Sequence, residues 1–236
     1  MGHSEVRRRV AIACRILAHA GLAEDVLGHV SVRVDADTIL VRARGPRESG
    51  LLFSTRDDVV ACSLETGVAL TPTGYAPPNE LPIHLACYRC DSNVGAVVHA
   101  HPPSVIAADL AGVALVPMIG AYNIPAARLA AGGIAIYPRS VLINTNALGE
   151  EMASAMDGRP VCVLRGHGVT VTGTTLEQAV ARSLAVDALA RMAGRVASLH
   201  AAIDLENRNQ LLAGYTGNLD EAIAAFREKR TPIYKE

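Results

Sequence analysis

Residues 93–103 read Asn-Val-Gly-Ala-Val-Val-His-Ala-His-Pro-Pro, an apolar run that ends in two histidines and two prolines. The run from Val94 to His99 predicts a buried strand, and the prolines end that strand and begin a helix that should reach Gly112. Two residues apart on extended backbone, His99 and His101 project from the same face, so both imidazoles can reach one metal ion. The spacing therefore predicts a metal site at the end of this strand.

A third histidine and one carboxylate lie at the ends of other predicted elements. His167 stands between two glycines after a strand predicted at residues 160–165, and glycine lets the backbone approach closely. Glu80 follows Pro77-Pro78-Asn79 at a predicted helix start, where the positive end of the helix dipole favours an anion. We predict that Glu80 and the three histidines form one divalent-cation site.

Simpler interpretations of the same residues stay open at this point. A histidine at a strand end is often only solvated or hydrogen-bonded, and Glu80 can be an ordinary first-turn glutamate of a helix that Asn79 caps. His84, one helical turn later, can orient Glu80 or a metal ligand. Amidohydrolase barrels also use a His-x-His pair, but too little chain follows His101 for eight strand–helix units. A cupin would need a glutamate where Ser104-Val105-Ile106 stand.

The remaining sequence predicts alternating helices and strands. Apolar residues at helical spacing predict an opening helix near residues 5–20, a helix from 79 to 89 and a long helix at 175–201, and Asn218 begins the last helix. Period-two alternation predicts a hairpin of two strands. The predicted strands outside the histidine runs cover residues 29–34, 38–43, 52–53, 58–62, 68–70, 113–119 and 133–137. The chain has no GxGxxG or Walker loop, so we predict a mixed α/β fold without a nucleotide site.

Composition favours a globular enzyme. The 236 residues are 50% hydrophobic with a mean hydropathy of +0.24, which fits one domain over residues 1–236 with buried subunit contacts. A net charge of −1 and the absence of Trp offer no cationic stripe or stacking platform for nucleic acid. Glycines and prolines interrupt the longest charge-free run, so we predict no membrane span. Five scattered cysteines fit reduced thiols and a cytoplasmic protein.

Four segments of the chain resemble the class II aldolase/adducin family. They are Gly28-His29-Val30-Ser31-Val32-Arg33, then Asn79-Glu80 leading into Ile83-His84-Leu85-Ala86-Cys87-Tyr88, then Asn93 to Pro102, and finally Leu164-Arg165-Gly166-His167-Gly168. They occur in the order and with the spacing of that family. The resemblance implies a three-layer α/β/α sandwich with a central, mainly antiparallel sheet.

The resemblance also implies a chemistry for the predicted site. In the family, residues that match His99, His101 and His167 bind a divalent metal ion, and the residue that matches Glu80 acts as acid or base beside it or completes the ligand set. Three imidazoles and one carboxylate suit zinc, manganese, cobalt or iron(II). Family members commonly form cyclic tetramers with active sites at subunit boundaries, so we expect one metal ion per chain in a homotetramer.

Departures from the sugar-phosphate aldolases of the family indicate a different substrate. Those aldolases carry Gly-Asn in place of Gly28-His29, Thr-Pro-Thr-Gly in place of Ala43-Arg44-Gly45-Pro46, and Ser-Ser in place of Pro78-Asn79. The changes remove hydrogen-bond donors that a buried phosphate needs. The position of their proton-donating tyrosine falls near Pro117, and Tyr122 could replace it only if the loop is rebuilt.

The Gly-His-Val-Ser opening resembles the decarboxylase branch of the family. This implies metal-dependent, non-oxidative decarboxylation of a hydroxylated aromatic dicarboxylate, with 3,4-dihydroxyphthalate as the first candidate and Glu80 or His29 as the proton donor. The predicted substrate contacts are His29, Ser31, Arg44, Asn79 and Tyr122. Arg42 and Arg47 cluster with Arg44 on a loop that can hold a second carboxylate or simply be solvated.

Two other functions stay open from the sequence. The first is an aldolase for an unphosphorylated hydroxy acid or a sugar-derived substrate. The second is a non-catalytic, adducin-like binding module. The intact set of three histidines and Glu80 argues against the module, because binding without catalysis has no physical need for an open metal site.

Overall fold

The computed structural model describes residues 2–45, 48–70, 74–118, 122–215 and 217–234. The chain divides into two compact units, Met1–Ala193 and Gly194–Glu236. The organisation as one domain over residues 1–236 stays a prediction. Among the described residues, no helix has both the length and the apolar character that crossing a membrane requires.

The described residues form seven α-helices and seven strands, together with two short 3-10 helices. The helices are α1 (His3–His19), α2 (Leu81–Cys90), α3 (Pro103–Leu110), α4 (Ile124–Ala131), α5 (Asn146–Met156), α6 (Leu176–Tyr215) and α7 (Asn218–Glu228). The strands are β1 (His29–Arg33), β2 (Thr38–Arg42), β3 (Val59–Ser63), β4 (Ala96–Ala100), β5 (Ala135–Tyr137), β6 (Val161–Leu164) and β7 (Gly168–Gly173).

The strands form one mainly antiparallel sheet, as predicted. The strand order is β3-β2-β1-β4-β7-β6-β5, and only the pair β5–β6 is parallel. One face of the sheet packs against α1, α3 and the first half of α6, while α2 and α5 cover the other face. The predicted three-layer α/β/α arrangement is therefore confirmed.

Side-chain alternation along the strands decides which face carries the polar residues. Val30 of β1 and Val98 of β4 point into the core beneath α1 and α6. The residues that alternate with these valines along β1 and β4 therefore point toward α2, because successive side chains of a strand face opposite sides. His29 lies opposite His99 in the pairing of β1 with β4, and His99 lies opposite Thr170 in the pairing of β4 with β7. These three residues form one row across the middle of the sheet.

Several predicted elements differ in the structure. Residues 52–53 belong to a short 3-10 helix, Leu51–Phe53, rather than to a strand. Residues 113–118 are irregular rather than a strand, and Val113 and Leu115 within them pack against the core. Asn79 does not cap α2, since Glu80 occupies the N-cap position and no side chain caps the helix there.

Candidate metal centre and active site

Four side chains converge where β4 ends and β7 begins. One ligand atom each of Glu80, His99, His101 and His167 lies within 4.8 Å of the others. His99 is in β4, His101 follows that strand, and His167 lies in the turn between β6 and β7. Glu80 reaches them from the start of α2. The structure thus brings together all four residues that the sequence singled out.

The ligand atoms point at one another. The Nε2 atoms of His99 and His101 are 2.8 Å apart, and the Oε2 atom of Glu80 lies 3.5 Å from Nε2 of both His99 and His167. The other carboxylate oxygen of Glu80, Oε1, accepts a hydrogen bond of 3.1 Å from the backbone N–H of Ile143. One oxygen of Glu80 is therefore fixed by the backbone, while the other faces the histidines.

The chemistry of this donor set fits a divalent cation. Three imidazole nitrogens and one carboxylate oxygen are ligands that zinc, manganese, iron and cobalt all accept. The His99 and Glu80 side chains are buried, and His101 and His167 are partly buried. A cluster of this kind, with part of it open, can hold an ion and still leave a position for a substrate.

The protonation states favoured by this environment are those of a metal site. Burial lowers the pKa of His99 and lowers that of His101 to about 3, which keeps both imidazoles neutral. Burial alone would raise the pKa of Glu80, but hydrogen bonds with His167 and His99 outweigh it and hold the pKa far below the usual carboxyl range. Neutral histidines and an ionised carboxylate are the forms that bind cations.

The turn that carries His167 is held on both sides. Asp109, near the end of α3, accepts a hydrogen bond of 2.8 Å from the Gly166 N–H and forms an ion pair of 3.1 Å with Arg165. After the turn, Gly168 packs so tightly that a Cβ atom there would overlap the carbonyl oxygen of Ala100 and come within 3.0 Å of the His101 ring. Glycine at this position lets β7 approach β4 closely enough for His167 to face His101.

This close approach leads to a first prediction. We expect Gly168→Ala to lower the free energy of unfolding by about 1–3 kcal/mol, as overpacking usually does, and to weaken binding of a divalent ion. Denaturant unfolding and metal titration measure the two effects. Gly194→Ala is the matched control, because a Cβ there meets nothing within 4 Å in a helix that favours alanine. A Gly168→Ala variant as stable and as metal-loaded as the parent would contradict the packing argument.

His29 lies directly beside the four-residue cluster. Its ring stacks on that of His99 with centroids 5.0 Å apart. Its Nδ1 atom lies 2.7 Å from Nε2 of His84, whose Nδ1 is 2.6 Å from Oγ of Ser31, and that Oγ is 2.8 Å from the hydroxyl oxygen of Tyr88. These four residues are the His29 relay. The sequence predicted Glu80 or a metal ligand as the partner of His84. In the structure, the two ring nitrogens of His84 form hydrogen bonds with His29 and Ser31 instead.

Comparison with known proteins agrees with this arrangement. The sequence profile of the Class II Aldolase and Adducin N-terminal domain matches residues 8–193. The chain belongs to the class II aldolase and adducin family. All four cluster residues and the whole His29 relay lie inside the matched range.

The chain is similar to individual members of the family, which include enzymes and a solved structure. The chain is 47% identical over 204 residues to a 3,4-dihydroxyphthalate decarboxylase of Arthrobacter keyseri. The matched region covers 85% of this chain and 82% of that protein. It is 46% identical over 200 residues to the enzyme of the same name from a Terrabacter species, covering 84% of this chain and 83% of that protein. A sugar-phosphate aldolase from Thermotoga maritima has the same fold, with a TM-score of 0.70 at 21% identity over 83% of this chain and 96% of that chain.

A cavity opens beside His167 of the four-residue cluster. Its volume is about 300 Å³, and its lining comprises Ser140, Val141, Leu142, Arg165, Gly166 and His167. The loop between β5 and α5 supplies three of these residues and also Ile143, whose N–H holds Glu80. Sequence reasoning missed this loop, because a backbone N–H leaves no residue-type signal.

The predicted substrate contacts have different positions. His29 adjoins the cluster, whereas Ser31 is fully buried and bonded within the relay. Asn79 and Arg44 are exposed, and Tyr122 is 66% exposed. Their roles in substrate binding stay predictions.

Of the arginines predicted to cluster on one loop, Arg42, Arg44 and Arg47, the two that the structure describes do not share one environment. Arg42 is 4% exposed and forms an ion pair with Glu48, so its guanidinium is not available to a substrate. Two backbone hydrogen bonds of 2.9 and 2.8 Å join Arg44 to Ala76. Arg47 lies outside the described residues.

Proposed function

We propose that this chain is a metal-dependent, non-oxidative decarboxylase of 3,4-dihydroxyphthalate. The observation that carries the proposal is His29 packed against a cluster of three imidazoles and a carboxylate, in a chain 47% identical to an enzyme of that name. The solved sugar-phosphate aldolase from Thermotoga maritima is similar at the level of the fold, at 21% identity, and supports no substrate.

The chemistry requires an electron sink and a proton. In 3,4-dihydroxyphthalate the 3-hydroxyl is ortho to the 2-carboxylate, so these two groups can chelate one cation. The carbon–carbon bond to that carboxylate breaks, carbon dioxide leaves, and the bonding electron pair stays on the ring carbon until a proton reaches it. The products are carbon dioxide and 3,4-dihydroxybenzoate. A divalent ion at the site would supply Lewis acidity that draws electron density from the substrate oxygens.

Within this proposal, His99, His101 and His167 hold the ion and Glu80 moves the proton. The Ile143 N–H fixes Oε1 of Glu80, which leaves Oε2 directed at the reacting region. Glu80 is ionised in this environment, so its unanchored oxygen would first accept a proton from a substrate hydroxyl and then release that proton to the ring carbon.

His29 is proposed to contact the substrate, and this gives a second prediction. We expect His29→Asn to lower kcat/KM for decarboxylation by about 10–100-fold, the effect of losing one hydrogen bond to a charged group, with metal content unchanged. Steady-state kinetics and elemental analysis on the same preparation measure both quantities. Unchanged turnover would assign His29 a purely structural role.

Other features of the proposal follow the family. We propose zinc, manganese, cobalt or iron(II) as the metal, one ion per chain, in a cytoplasmic homotetramer with active sites at subunit boundaries. Arg44, Asn79 and Tyr122 are proposed as further substrate contacts, and their exposure in one chain is compatible with a role at such a boundary. No nucleic acid or membrane takes part.

The deciding experiment is a substrate panel. Metal-loaded protein is mixed with 3,4-dihydroxyphthalate, other hydroxylated aromatic dicarboxylates and unphosphorylated hydroxy acids, and carbon dioxide and aldehyde products are followed. Release of carbon dioxide with formation of 3,4-dihydroxybenzoate supports the proposal. Aldehyde formation from a hydroxy acid would favour the aldolase alternative, and no turnover of any compound would favour a binding module.

A further inference from the structure

The His29 relay is a buried chain of hydrogen bonds that ends at the metal cluster. His84 and Ser31 have no exposed surface, Tyr88 is 1% exposed, and His29 is 5% exposed. The three links measure 2.7, 2.6 and 2.8 Å between heavy atoms, all within normal hydrogen-bond range. The His29 end is therefore the most exposed part of the relay.

The number of polar hydrogens in the relay determines which member of each hydrogen bond is the donor. Each neutral member contributes one polar hydrogen, and there is one fewer link than there are members. If Tyr88 donates to Ser31, Ser31 to His84 Nδ1, and His84 Nε2 to His29 Nδ1, every link is filled. The remaining hydrogen is then on Nε2 of His29, at the open end.

The opposite direction leaves a buried hydrogen without an acceptor. If His29 Nδ1 donates to His84 and His84 donates to Ser31, then the hydroxyl hydrogen of either Ser31 or Tyr88 has no acceptor among the described residues. A buried unpaired donor costs about 1–3 kcal/mol. Burial also lowers the pKa of His84 to about 3, which excludes a cationic His84 that donates from both nitrogens.

The free end of the relay lies beside the metal cluster, because the His29 ring stacks on the ring of His99. Among the described residues Nε2 of His29 has no hydrogen-bond partner, and it is not one of the fully enclosed polar atoms. The ring lies against His99, so a group bound beside the metal cluster is within reach of this nitrogen.

We propose that Tyr88, Ser31 and His84 are positioning residues that hold His29 as its Nε2–H tautomer, so that the site presents an N–H donor to a substrate carboxylate. The identity of that substrate rests on the proposed function. In this tautomer His29 binds an anionic oxygen and does not abstract a proton. Uptake of a proton from the substrate is thereby left to Glu80.

The first test reads the tautomer directly. Protein with ¹⁵N-labelled histidine rings is loaded with zinc, which is diamagnetic, and the ring signals of His29 are assigned from their loss in His29→Asn. We expect the proton on Nε2 and a bare Nδ1 in the parent. Ser31→Ala, which removes the hydrogen donated to His84, should yield a mixture of tautomers. Ser183→Ala is the matched control, because it deletes an equally buried hydroxyl that bonds within α6.

The second test measures ligand binding without turnover. Phthalate carries two carboxylates but no hydroxyl, and catechol carries two hydroxyls but no carboxylate. We expect Ser31→Ala to weaken phthalate binding by about 3–10-fold, the worth of an ordinary hydrogen bond, and to leave catechol binding unchanged. Ser183→Ala should change neither.

Three results would overturn the proposal. They are a parent spectrum with the His29 proton on Nδ1, an unchanged tautomer in Ser31→Ala, or an equal loss of phthalate and catechol binding. If Ser31→Ala does not fold, the parent spectrum alone still decides the direction of the relay. A protein with the predicted tautomer that releases no carbon dioxide from 3,4-dihydroxyphthalate would instead count against the proposed function.

Discussion

Replacing His99 by alanine is expected to remove the bound metal ion and decarboxylation together. His99 is fully buried, and its Nε2 lies within 2.8 Å of that of His101 and 3.5 Å from Oε2 of Glu80, so its loss leaves a gap in the centre of the ligand set. We expect less than one-tenth of the metal to remain, and kcat/KM to fall by at least about 10³-fold, because the Lewis acid contributes several kcal/mol.

A matched control separates this effect from the loss of any histidine. His19→Ala removes an exposed histidine at the end of α1 and should leave both quantities unchanged. Circular dichroism and elemental analysis on each variant distinguish loss of metal from loss of fold. A folded His99→Ala protein that still carries one ion per chain would show that His99 is not a ligand.

Glu80→Gln is expected to reduce decarboxylation by about 10²–10⁴-fold while the fold and most of the metal are retained. The amide oxygen of glutamine can still accept the hydrogen bond from the Ile143 N–H, so the side chain keeps its place. The amide nitrogen that replaces Oε2 cannot act as a general acid or a general base at neutral pH. Turnover is therefore lost in preference to structure.

Three measurements on this variant decide between the roles of Glu80. Loss of metal along with rate would make Glu80 primarily a ligand, and loss of stability would make it primarily a helix-start residue. Near-normal carbon dioxide release would exclude it as the proton-transfer group and shift attention to Tyr122. Glu65→Gln, which changes an exposed carboxylate, controls for the loss of a negative charge.

The cluster residues could be predicted because their signals are local in the sequence. His99 and His101 end an apolar strand, and His167 follows another between two glycines, so periodicity alone placed all three at strand ends. The resemblance to the family then supplied their common site. Tertiary pairing was not needed for either step.

The features that the sequence did not predict depend on tertiary contacts, and residue type alone does not indicate such contacts. The Ile143 amide that anchors Glu80 belongs to a loop with no distinctive sequence, and the role of Tyr88 follows only from its distance to Ser31. Residues 113–118 have strand-like composition, but among the described residues they pair with no strand of the sheet. Asn79 has a capping side chain, yet the helix begins one residue later than a cap at Asn79 would require.

The row of His29, His99 and Thr170 across three strands ties the chemistry of the site to the alignment of the sheet. A slip of β1 by one residue would turn His29 and Ser31 toward α1 and present Val30 to the metal cluster. An insertion within β1 would therefore abolish the site without removing any of its residues. Insertions in the turn after β1, at Asp35–Asp37, leave this row intact, which makes that turn the place where new sequence can be added to an active enzyme.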